Sequence, residues 1–129
     1  MSERRFARSG TPWEEVVGYS RAVRNGPFVW VSGTTSTGPD GQFVDGTAAE
    51  QTRLALSNIA RALQQVDASI DDVVQTRMYV TDIAQWEEIG RVHGEVFAGI
   101  RPATAMVEGR ALIDPRMVVE IEAVAYLGT

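Results

Sequence analysis

Apolar residues recur along this chain in two periods, and the change of period marks its elements. Between Thr47 and Val66 they fall three or four apart: Thr52, Ala55, Leu56, Ile59, Ala62, Leu63 and Val66. Glu50, Arg53, Ser57, Arg61 and Gln64 fall elsewhere, so the pattern predicts a helix with one buried face. A second stripe, Trp86, Ile89, His93, Val96, Phe97 and Ile100, predicts a helix from Ile83 to about Gly99. Asp82 can cap that helix, and Arg101-Pro102 ends it. Strand-like segments cover Ser20–Arg24 and Phe28–Ser32, a hairpin turning on Asn25-Gly26. Others cover Asp72–Thr81, Ala103–Glu108 and Met117–Leu127, the last two joined by a turn around Asp114-Pro115. Arg4–Arg8 can add a short sixth strand, and Thr34–Gly46 reads as a loop turning at Pro39-Asp40-Gly41.

This order predicts one α+β domain over residues 1–129, a mixed sheet with two helices on one face. The last strand makes the second face a problem. Val119, Ile121, Ala123, Ala125 and Leu127 alternate with Val118, Glu120, Glu122, Val124 and Tyr126. The first set belongs under the helices. The second is too apolar for water and too charged for a core, and neighbouring strands add either Thr104 and Met106 or Val74 and Met78, according to register. Other copies of the chain covering this face would resolve both conflicts, and such interfaces are convenient places for a pocket.

Composition then narrows the chemistry. Without cysteine there is no disulfide, thiolate metal site or thiol nucleophile. All twelve basic residues are arginine, which removes Schiff-base and P-loop lysines. His93 is the single histidine, which leaves no histidine pair for a zinc site or iron triad; a carboxylate-only magnesium or calcium site stays open, although no calcium-loop motif is present. A net charge of −5 with scattered arginines argues against a nucleic-acid partner. No apolar run is long enough to span a membrane, and Met1–Phe6 does not resemble a secretory leader, so a cytoplasmic location is expected.

Carboxylates, arginines, hydroxyls and backbone groups remain. Glu120 and Glu122 lie two apart on one strand, so they share a face ~6.6–7 Å apart along it. In a partly dry setting their proton affinities can separate, leaving one as an acid or base. Alternatively both are structural partners of arginines, Arg77 among them. His93, Trp86 and Phe97 lie on the helix stripe and read as core, whereas Trp13, in a loop, can be a lid or docking group. Ser32-Gly33-Thr34-Thr35-Ser36 follows a strand and reads either as a polar turn or as a loop that brings backbone N–H groups close to a ligand.

Val29-Trp30-Val31-Ser32-Gly33, the strand Val73–Asp82, Arg101-Pro102-Ala103-Thr104 and Val119–Ala125 together resemble the RidA (YjgF) family, over about Val17 to Leu127. The resemblance implies a chorismate-mutase-like fold with a six-stranded sheet. It also implies a homotrimer with clefts between subunits, and hydrolysis of small imines or enamines without metal or cofactor. By position Tyr19, Ser32 and Gly33 match cleft residues, and Glu120 matches the glutamate thought to orient water. The chain departs from the pattern at Thr104, where the deaminases carry an arginine that pairs with the substrate carboxylate. It departs again at Met106, where a cysteine is frequent, and at Gly18, where a proline is frequent. A hydroxyl cannot replace a bidentate guanidinium, so ordinary 2-aminoacrylate deamination is not expected. Thr34 and Thr104 are then candidate substrate contacts, and Arg21 or Arg110 could supply a displaced cation. Two functions follow: an enzyme acting on an imine, enamine or other reactive carbonyl-type metabolite, or a trimeric binding module that kept the pocket and lost its chemistry. An endoribonuclease activity, attached to some relatives, is opposed by the acidic charge.

Overall fold

The computed structural model describes residues 4–128; Met1–Glu3, part of the opening stretch read above, lie outside them. Its strands are β1 (Arg4–Ala7), β2 (Ala22–Asn25), β3 (Phe28–Thr34), β4 (Val73–Val80), β5 (Ala103–Glu108) and β6 (Val119–Tyr126). Its helices are α1 (Pro12–Val17), α2 (Ala48–Gln65) and α3 (Trp86–Phe97). The strands form one mixed sheet in the order β1-β2-β3-β6-β4-β5, in which only β4 and β5 run parallel. The parallel pair is connected through α3, as a crossover requires.

Local chemistry explains the element boundaries. Thr47 caps α2: its hydroxyl accepts the Glu50 N–H at 3.1 Å, and the Glu50 carboxylate accepts the Thr47 N–H at 2.8 Å. The β2–β3 hairpin turns one residue later than the sequence suggested. Asn25 pairs with Phe28, so Gly26-Pro27 is the two-residue loop. Gly26 takes φ +63° in the first place and proline's negative φ follows, as a type II′ turn requires. The second predicted helix begins as a 3₁₀ turn over Ile83–Gln85, with the Asp82 carboxylate accepting the Ala84 N–H at 3.0 Å. That turn shifts the buried stripe to Ile89, Val92, His93 and Phe97, and Trp86 is exposed rather than core.

Both long helices pack on one face. Ala55, Ile59, Ala62 and Leu63 of α2, with Ile89 and Val92 of α3, cover Val29, Val31, Met78, Val119, Ile121 and Ala123. Thr76 lies on this covered side, and the β4–β5 register puts Thr104 opposite it and Met106 opposite Met78. The opposite face of the sheet is uncovered in the single chain. It carries Phe28, stacked on Trp30 at a ring separation of 5.7 Å and tilted against Tyr126 at 4.9 Å, beside Arg77, Tyr79, Glu120 and Glu122. Neither register alternative for this face holds as a pair, because Thr104, Met106 and Met78 lie on the helix side, while Val74, half-exposed, is the extra residue of a bulge in β4. Ala105 and Val107 take their places. Among the described residues no helix is long and apolar enough to cross a membrane.

Candidate functional site

A break in the sheet opens the site. Val31 pairs with Ala123 and Thr34 with Ile121, so β3 contains one extra residue at Ser32-Gly33. Such a bulge re-aims the strand and frees its backbone groups. Here the freed groups find new partners. The Ser32 N–H bonds to the Arg21 carbonyl at 2.9 Å and its hydroxyl to the Ser20 carbonyl at 2.7 Å. The Thr34 hydroxyl donates to the Ser32 carbonyl at 2.7 Å. Arg21 donates to the Gly33 carbonyl at 2.5 Å and to the Thr34 hydroxyl at 3.1 Å.

Glu120 lies against this bulge. A Cβ added at Gly33 would overlap the Glu120 carboxylate and come within 2.8 Å of its Cδ, so glycine is what lets the side chain rest there. Among the described residues no group hydrogen-bonds that carboxylate. Burial raises its pKa above the ordinary glutamate value, Arg21 partly offsets this, and the charge of Glu122 adds to it. Glu122 is held differently: the Tyr79 hydroxyl donates to it at 3.0 Å, and Arg77 approaches to 3.5 Å. The predicted arginine partnership thus holds for one glutamate and leaves the other free.

The remaining wall comes from α1, a helix where the sequence suggests a loop around Trp13. Proline begins this short helix, and Gly18 ends it at φ +86°. The N–H groups of Gly18 and Tyr19 both bond to the Glu14 carbonyl, at 2.9 and 3.0 Å, which turns Tyr19 beside the bulge. Glu14 itself is buried. Desolvation would raise its pKa, but hydrogen bonds from Ser9 and Thr11 and the charge of Arg21 together bring it below the ordinary range. Its carboxylate is 3.6 Å from Arg21 Nε, an ion pair with both side chains buried. The Arg21 guanidinium also reaches the Tyr19 hydroxyl at 3.2 Å.

The result is an open-sided cleft of about 400 Å³. Tyr19, Arg21, Ser32, Gly33, Glu120 and Glu122 line its polar floor, and Trp13, Val17 and Ile113 form an apolar wall. Of the expected site residues, Tyr19, Arg21, Ser32, Gly33 and Glu120 come together. Thr34 is buried behind the bulge as Arg21's partner. Thr104, Met106 and Arg110 do not line the cleft of the single chain. Thr104 is instead on the helix side, where it accepts the Thr76 hydroxyl at 2.7 Å. Thr76 is in turn 2.8 Å from His93 Nε2. His93 is buried against Phe97, and burial lowers its pKa, the behaviour of a core histidine. Trp13 was visible as an aromatic in a loop. Ile113 gave no signal, because its position depends on a turn in which Asp114 accepts both the N–H and the guanidinium of Arg116. Among the described residues no three His, Asp or Glu side chains gather as metal ligands.

A mixed sheet backed by two helices, with a carboxylate cleft at a bulge in its third strand, defines the class to which this chain belongs. Residues 11–127 match the family model described as Endoribonuclease L-PSP. The crystal structure of Rv2704 from Mycobacterium tuberculosis, described as a member of the YjgF/YER057c/UK114 family, superposes with a TM-score of 0.88. It is 52% identical and covers 96% of this chain and 99% of its own. The structure of YyfA from Yersinia pestis, of the conserved Rid protein family, matches at 28% identity with a TM-score of 0.85, covering 96% of this chain and 99% of its own. A RutC family protein of Pyrococcus abyssi is 34% identical over 110 residues, 84% of this chain and 85% of the relative. The chain belongs to the YjgF, or RidA, family.

Proposed function

We propose that the cleft hydrolyses a small imine or enamine, or a related reactive carbonyl-type compound, with Glu120 as the group that handles water. The observation carrying this reading is an unpartnered carboxylate, its pKa raised by burial, resting on the Gly33 bulge inside a cleft. A base held closer to neutrality takes a proton from water and gives it up again more readily than an ordinary glutamate. Glu120 accepts a proton as the water oxygen bonds to the imine carbon. That proton passes to the nitrogen as the C=N π bond opens, giving a carbinolamine, whose hydroxyl proton then moves through Glu120 to the amino group as the C–N bond breaks, leaving a carbonyl product and ammonia. The Tyr19 hydroxyl and the Ser32–Gly33 segment orient the substrate, and Arg21 fixes the bulge. Neither metal nor cofactor is required by this chemistry.

The uncovered sheet face supports assembly as a homotrimer in which copies of the chain complete the clefts. Phe28, Trp30 and Tyr126 are each about half exposed there, a cluster that a partner would bury. Thr104 and Met106, on the helix side of the edge strand β5, would reach substrate only if a neighbouring copy's cleft extends round that edge. The second reading, a binding module without turnover, rests on Thr104: the side of β5 where the deaminases carry an arginine offers only a hydroxyl, itself tied to Thr76. A net charge of −5 opposes RNA as the substrate. The test is a panel of imino acids generated in situ by an amino-acid oxidase, with ammonia release as the readout and calorimetric titration beside it. Accelerated release supports the enzyme. Heat of binding without release supports the module, and neither response removes both.

A further inference from the structure

We infer that a second crevice, on the far side of Arg21 from the cleft, binds a small oxyanion, phosphate or the phosphate end of a metabolite. This crevice encloses about 230 Å³ between the β1–α1 connection, the turn at Gly38-Pro39 and the exposed side of α2. At about 30 Å³ per liquid water it has room for a phosphate and part of an organic stem. Arg8, Arg21 and Arg61 line it, and among the described residues no acidic one does. In a chain with a net charge of −5, three guanidinium groups around one pocket are a local reversal of sign. Guanidinium groups recognise phosphate and carboxylate through paired N–H donors.

Two of these three cations are also uncompensated. Among the described residues no carboxylate comes within ion-pair distance of Arg8 or Arg61. Arg61 is steadied by neutral acceptors alone, the Asn58 side-chain oxygen and, at 3.4 Å, the Ser57 hydroxyl. Asn58 is itself fixed, because its amide donates to the carbonyls of Thr35 and Thr37 at 3.0 and 2.9 Å. Asn58 and Arg21 are thus buried and held by hydrogen bonds before any ligand arrives, while Arg8 and Arg61 reach the crevice from the exposed surface. Arg21, by contrast, is paired with the Glu14 carboxylate, 3.6 Å from its buried Nε. Asp40, in the turn beside Gly38, accepts the Gln42 N–H on its carboxylate at 3.0 Å. Arg21 and Thr37 line both the crevice and the Glu120 cleft, so the two sites share a wall.

Calorimetric titration of the full chain with inorganic phosphate, at constant ionic strength set by chloride, tests this. Glycerol phosphate in a second arm distinguishes the free ion from an esterified one. Saturable binding is expected, weakened about tenfold or more by R61Q and by R8Q, the loss of one charge-assisted bond. R91Q, which removes an exposed arginine on α3, should leave affinity unchanged. E120Q separates the two sites, because phosphate in the cleft would bind more tightly once that carboxylate is neutral. Absence of saturable binding, equal weakening by R91Q, or tightening by E120Q each overturns the proposal.

Discussion

Replacing Gly33 with alanine isolates the contact on which the site is built. Gly33 does not have a positive φ, so alanine meets no backbone penalty there. The three nearest atoms to the new methyl all belong to Glu120: the carboxylate oxygen it would overlap, Cδ at 2.8 Å and Cγ at 3.2 Å. Overpacking of this kind costs about 1–3 kcal/mol. The obstructing group is the end of a side chain that can swing away, which places the cost near the lower bound, about 1 kcal/mol. In an E120A background those three contacts are gone, and the same methyl should change stability by less than about 0.5 kcal/mol, the scatter of independent sites. Urea denaturation of wild type, G33A, E120A and the double variant, at one protein concentration, yields a coupling of about 1 kcal/mol. In G33A the displaced carboxylate should also titrate nearer the ordinary glutamate value by carbon NMR, since burial is what raises it. An equal cost of G33A in both backgrounds would mean that the bulge, rather than Glu120, needs the glycine, and the reasoning would fail.

Two further outcomes follow from the electrostatics and the exposed face. Glu120 has a folded-state pKa above its ordinary 4.5, so its contribution to stability is fully present below that value and is lost as pH rises through the raised pKa. E120Q should therefore be more stable than wild type near pH 7 and equal to it in acid. Glu14, with a lowered pKa, runs the other way: E14Q should be destabilised at neutral pH, with the gap closing as pH falls. On the open face, W30E places a charge where Phe28, Trp30 and Tyr126 cluster. Size-exclusion chromatography with light scattering should show wild type at about three times the 14.1 kDa chain mass and W30E at a lower mass. A monomeric wild type would remove the inter-subunit cleft.

Much of this architecture was legible because its residues obey local periods. The strict alternation of β6 separated Ile121 and Ala123 from Glu120 and Glu122, and the α2 stripe held over seven positions from Thr52 to Val66. The family resemblance pointed to the same fold and to Glu120, Gly33 and Tyr19. What escaped depends on register and on short-range geometry. Either side of β5 carries plausible residues, so only pairing with β4 decides that Thr104 faces Thr76. α1 has six residues, too few to show a helical period, although Pro12 and Gly18 punctuate it. Arg21 sits at the head of a strand in the sequence, and nothing local reveals that its side chain would be buried against Glu14 while bonding to the Gly33 carbonyl.

The most direct measurement is the turnover number of E120Q beside wild type, on whichever imine the oxidase-coupled panel identifies. Loss of a general base should lower kcat by about a hundredfold or more while leaving substrate affinity within a few-fold. An unchanged kcat would show that Glu120 does not handle the water, whatever else the cleft binds.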